Sequence, residues 1–128
     1  MDTVCVLVVD RQPEVRSQLK RTLKNANPLW RVLEARDRGE AVDVLIRERV
    51  TVLLADDPDL AEQGRLLAPE CVPIVLAHPT AAIGGSDLRI LAKPFEVVRL
   101  LTEVVEAIAE SRLRGDAPPE HRLYARAR

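Results

Sequence analysis

Three charged residues each close a run of aliphatic residues. Asp10 follows Val4 to Val9, Asp56 follows Val50 to Ala55, and Lys93 follows Leu88 to Ala92, with Pro94 and Phe95 next. A carboxylate can act as a nucleophile or lend oxygen to a hard cation, and an ammonium can hold anionic oxygens. Three neighbours bear on that chemistry. Arg11 follows Asp10, Asp57 follows Asp56, and His78 follows a further aliphatic run, Val72 to Ala77. A guanidinium stays charged and ligates no metal. An imidazole titrates near neutral pH and can give or take a hydrogen bond. These groups act together only where the fold brings them together.

The runs are short and alternate with amphipathic stretches. Pro13 suits a first helical turn, and Val15, Leu19 and Leu23 follow at four-residue spacing. Asn25 to Pro28 is a turn cluster, and Trp30 to Ala35 reads as a second strand, polar enough for a sheet edge. Asp37 can cap the next helix, with Glu40 three residues on, and that helix buries Ala41, Val44 and Leu45. The third strand, Val50 to Ala55, is almost wholly apolar and therefore central. Asp57-Pro58 reads as a cap and first position of a helix ending before Pro69. Glu96 to about Arg114 predicts a long helix with Val97, Leu100, Leu101, Val104, Val105 and Ile108 on one face. Val98 lies beside that stripe and leaves room for a partner surface.

Strands alternating with helices predict an α/β fold, a parallel sheet covered on both faces with right-handed crossovers. In the flavodoxin-like, doubly wound five-stranded order 2-1-3-4-5, strands one and three end side by side at the switch point, where ligands bind. That order delivers Asp10 and Asp56 to one place and Lys93 to the same rim. One crossover is short. Only His78 to Asp87, with Gly84-Gly85 inside, joins strands four and five, which predicts one helical turn or a plain loop.

Composition narrows the function. The chain has 128 residues, a single domain's length, with 47% apolar and 30% charged residues, as in a folded globular protein. A net charge of −1 gives no global attraction to nucleic acid or anionic lipid. Phe95, Trp30 and Tyr124 are the only aromatics, too few for a nucleic-acid stacking platform. No apolar run approaches the ~20 residues of a membrane span, and the N-terminal run lacks the basic start of a secretory signal. Cys5 and Cys71 sit in apolar runs and read as buried thiols of a reducing compartment. A cytoplasmic location is expected. Residues 1–114 read as one domain. From Gly115 the period stops, and 115–128, with Pro118-Pro119 and the arginines Arg122, Arg126 and Arg128, read as a flexible tail.

The ordered set of pieces resembles the receiver domain of two-component response regulators. The matching pieces are Leu7-Val8-Val9-Asp10, Glu34 to Ala41, Val52 to Asp56 with Gly64 beyond, Val72-Pro73-Ile74-Val75-Leu76, and Leu91-Ala92-Lys93-Pro94-Phe95. They cover about residues 3 to 110. The resemblance implies a phosphoacceptor at Asp56, a Mg²⁺ ligand at Asp10 together with Asp56, and a phosphoryl contact at Lys93. In that chemistry a carboxylate attacks a phosphohistidine or a small acyl phosphate.

Several positions depart from the family's pattern. Arg11 stands where a second acidic metal ligand is expected, so Mg²⁺ is expected to bind weakly or not at all. Arg11 offsets one carboxylate and Lys93 the other, leaving the pocket neutral before any metal arrives. His78 stands at the hydroxyl switch position, Ile90 at the aromatic switch position and Leu60 at a usual proline. The fourth helix of the family falls in the short crossover and is expected to be shortened or missing.

Asp56 has two readings, a working phosphoacceptor or a carboxylate ion-paired to Lys93 or Arg11. Asp10 is expected to pair with Arg11 or Lys93, Asp57 to cap its helix, and His78 to be a satisfied polar residue. Three functions follow. One is a phosphorelay receiver, taking a phosphoryl group from a sensor histidine kinase or phosphotransfer protein. Another is a pseudo-receiver that binds a downstream protein without phosphorylation. The third is a small flavodoxin-like enzyme or nucleotide binder, against which stands Asp10-Arg11-Gln12-Pro13 in place of a glycine-rich phosphate loop. The expectation is a non-enzymatic, cytoplasmic, bacterial-type signalling protein acting by protein contact, with a homodimer open to it and neither membrane nor nucleic acid as partner.

Overall fold

A computed structural model describes residues 3–77 and 88–115 of the chain. The elements run β1 (Cys5–Val9), α1 (Pro13–Ala26), β2 (Arg31–Ala35), α2 (Arg38–Arg47), β3 (Val52–Ala55), α3 (Pro58–Leu67), β4 (Val72–Ala77), β5 (Arg89–Ala92) and α4 (Val97–Gly115). All strand pairs are parallel, in the order β2-β1-β3-β4-β5. β3 is the central strand and β2 an edge, as their apolar and mixed compositions predict.

The fully apolar strands split the core in two because alternate residues face opposite sides of a sheet. On one side Val6, Val8, Val52, Leu54 and Ile74 pack with Leu19 and Leu23 of α1 and Leu100, Val104 and Ile108 of α4. On the other side Cys5, Leu7 and Leu53 pack with Ala41 and Leu45 of α2 and Leu60 of α3. Helices on both faces of a sheet in this order make the fold flavodoxin-like and doubly wound.

Caps fix the helix starts. Asp37 accepts from the Glu40 N–H at 2.9 Å. The Glu40 carboxylate turns back one residue beyond the cap, onto the Arg36 N–H at 2.8 Å. Pro13 and Pro58 occupy first-turn positions of α1 and α3.

Some expectations need correction. Trp30 precedes β2 rather than opening it, and is 8% exposed in the α1–α4 core. β1 starts at Cys5, β3 at Val52 and β5 at Arg89, one or two residues inside the apolar runs. Val44 is only partly buried. On α4, Val97 and Val105 face solvent, each 55% exposed, and Ala107 and Ser111 take buried places instead. The apolar stripe is wider than the face that the sheet can cover. His78, the short crossover to Asp87 with the family's fourth helix, and the tail from residue 116 lie outside the described residues.

Candidate functional site

Register places the acidic pair. Val9 pairs with Ala55, so Asp10 and Asp56 leave adjacent strands side by side, at the ~4.8 Å spacing of a sheet. On β4's other side Ala92 pairs with Ala77, and the Lys93 N–H donates to the Ala77 carbonyl at 2.7 Å. Lys93 therefore leaves the same edge of the sheet, two strand spacings from Asp56. The three residues named from the sequence share one rim, at the carboxyl ends of β1, β3 and β5.

Local hydrogen bonds shape the β1 end. The Asp10 N–H donates to the Ala35 carbonyl at 3.2 Å, which ties the turn to β2. Asp10 Oδ1 accepts from the Gln12 N–H at 2.9 Å, an Asx turn that leads into α1. Arg16 reaches back from α1 and donates to the Asp10 carbonyl at 2.7 Å.

The expected internal ion pairs do not form. Among the described residues, the ion pairs involve none of Asp10, Arg11, Asp56 and Lys93. Asp56 and Arg11 are exposed, while Asp10 and Lys93 are half-buried. In water a surface pair gains little over two solvated charges, so nothing forces these groups together.

Asp57 does the structural work at this corner. Its Oδ1 caps α3, accepting from the Asp59 and Leu60 N–H groups at 3.0 and 3.3 Å. Its Oδ2 accepts from Arg38 Nε at 3.0 Å and Nη2 at 2.6 Å. Burial raises the Asp57 pKa, but the Arg38 hydrogen bond, the cap bonds and the Arg38 charge outweigh it and hold the carboxyl below its ordinary value. Arg38 is the site residue that the sequence did not announce. It lies on α2, nineteen positions from Asp57, and only the sheet order brings the two together.

No group of three or more His, Cys, Asp or Glu stands together as a metal site among the described residues. Ile90 is 39% exposed on edge strand β5.

No protein-family model and no curated protein matches the chain. Solved structures do. The signal receiver domain of an HD-domain protein from Pseudomonas fluorescens Pf-5 superposes with TM-score 0.81 at 21% identity, over 92% of this chain and 96% of that one. The fold is that of response-regulator receiver domains. A response regulator receiver protein from Sinorhizobium medicae WSM419 matches with TM-score 0.73 at 21% identity, over 86% and 98%. A CheY-like receiver domain protein from Methanospirillum hungatei JF-1 gives 0.75 at 20%, over 87% and 98%. These three structures are matched over nearly their whole length, with the described rim at the fold's switch point. No helix among the described residues is long and apolar enough to cross a membrane.

Proposed function

We propose that this chain is a receiver-fold signalling module of the two-component class, acting by protein contact in the cytoplasm, with Asp56 as its phosphoacceptor. The observation that carries this reading is the exposed Asp56 carboxylate, free of ion pairs among the described residues, beside Asp10 and on one rim with Lys93. A free carboxylate can attack. One Asp56 oxygen forms a bond to phosphorus of a phosphohistidine or small acyl phosphate. The P–N or P–O bond breaks, and its electron pair leaves on the imidazole or the acyl carboxylate. Lys93 supplies a point charge for the phosphoryl oxygens.

The donor is then a sensor histidine kinase or phosphotransfer protein, and the output a downstream protein. Val98, Val105 and Leu113 on α4 stand 69%, 55% and 73% exposed, apolar area that suits such a contact. A second reading, a pseudo-receiver working without phosphorylation, draws on the half-exposed aliphatic Ile90 at the switch position.

Beryllofluoride with Mg²⁺, followed by ¹H–¹⁵N NMR, separates the two. Saturable shifts at Asp56 and Lys93, absent in Asp56→Asn, are the expected result. A well-folded protein that shows no shifts at millimolar ligand overturns the phosphoacceptor reading and leaves the pseudo-receiver.

A further inference from the structure

We infer that the pocket takes up its phosphoryl group without a divalent cation, because few of its carboxylate oxygens are open to a metal and its own cationic side chains already supply the balancing charge. This rests on the reading of Asp56 as phosphoacceptor. Mg²⁺ needs several oxygen ligands in near-octahedral array. Asp10 Oδ1 is engaged by the Gln12 N–H. Asp59 stands out in solvent, 88% exposed and 3.9 Å from Arg38, which leaves Asp57, next to Asp56, as the nearer further carboxylate. Both of its oxygens are occupied, one by the α3 cap and the other by Arg38. Arg11, beside Asp10, offers no ligand at all.

Charge points the same way. Asp10, Asp56, Asp57 and the solvent-exposed Asp59 stand at or beside this rim, against Arg11, Arg38 and Lys93. The corner is close to neutral before any metal arrives, because the one surplus carboxylate, Asp59, is solvated, so it has little pull on a dication. An incoming phosphoryl group, itself anionic, meets two cations without ion-pair partners among the described residues, Arg11 and Lys93. Those are the charges that a metal-dependent pocket must import.

The test runs acetyl phosphate against the full chain, with intact-mass detection, in EDTA and again in millimolar MgCl₂. The expected result is the same phosphoryl adduct in both, and none in Asp56→Asn. An adduct that appears only with MgCl₂ overturns metal independence and leaves the phosphoacceptor reading standing. No adduct in either buffer overturns both. A parallel MgCl₂ titration by NMR should leave Asp10 and Asp56 of the parent chain unmoved. Arg11→Asp, a change at an exposed turn, should bind Mg²⁺ about tenfold more tightly or better. Arg11→Gln, which removes charge without adding a ligand, should gain less. An Arg11→Asp chain that stays folded yet gains no Mg²⁺ shift overturns the assignment to Arg11.

Discussion

Arg38 and Asp57 meet at the corner between α2 and α3, with two guanidinium donors on one carboxylate oxygen while the other oxygen caps α3. One side chain thus holds two helix starts. Asp57→Ala should lose both and cost about 1–2 kcal/mol. Arg38→Ala should cost less than about 1 kcal/mol, because the Arg38 side chain is 53% exposed and its pair well solvated. Urea denaturation of the two variants and the double variant gives both values and their coupling.

The same pair sets an acid dependence. The Asp57 pKa is lower in the folded chain than its ordinary value. A depressed carboxyl stabilises the fold above the ordinary value and loses that stabilisation as pH falls through the folded one. Asn can still accept the cap bonds but carries no charge. The stability gap between the parent and Asp57→Asn should therefore be widest at neutral pH and close below about pH 4. A gap of constant size across that range would remove the Arg38 charge as its cause.

Gly64 lies where α3 presses on β3. A Cβ there would meet Leu53 Cδ2 at 2.9 Å, and Leu53 is fully buried. Gly64→Ala adds helix propensity worth about 1 kcal/mol but forces Leu53 off its place, at about 1–3 kcal/mol. Net destabilisation is expected, and Gly64→Val should be worse. Thermal unfolding of the two variants decides this.

Arg89 on β5 gathers three carboxylates of α4, Glu103 at 3.1 Å and Glu106 and Glu110 at 3.3 Å. Removing it leaves like charges along one helix flank. Arg89→Ala should lower the melting temperature at low salt, and 1 M NaCl should narrow the difference from the parent. A salt-independent difference would mean that the lost contribution is packing by the arginine stem.

Cys5 and Cys71 are 2% and 0% exposed. Burial pushes the Cys71 thiol up to about 12, and it raises Cys5 as well. Neither should react with a thiol reagent at pH 8 in the native chain, and both should react in denaturant. Native-state labelling at a rate that tracks global unfolding agrees with this; faster labelling shows a local opening of β1 or of the β4 start.

Much of the fold was legible because the central strands carry dense aliphatic runs and the first three helix starts carry their own punctuation. Pro13, Asp37 and Asp57-Pro58 act locally, so local sequence reveals them. The rim followed from strand order, since Asp10, Asp56 and Lys93 each end a strand. What was not legible depends on side-chain choice in three dimensions. Arg38 stands within reach of Asp57 and Asp59 and hydrogen-bonds Asp57. Asp10 satisfied one oxygen with its own turn rather than with Arg11. Val97 and Val105 matched the α4 period, yet the sheet beneath is too narrow to cover them.

The margins of the sheet bear on how the molecule behaves in a crowd. β2 carries Arg31, held by Glu48 at 2.9 Å, and Glu34, reached by Arg16 at 3.3 Å and Lys20 at 3.7 Å. β5 opens with Arg89, itself drawn onto α4. A sixth strand from a neighbouring molecule would have to pair against these ionised side chains and strip their water. Charged margins of this kind guard an open sheet against edge-to-edge stacking and fibril growth. Three all-apolar strands can therefore sit between charged margins in one chain without recruiting the next.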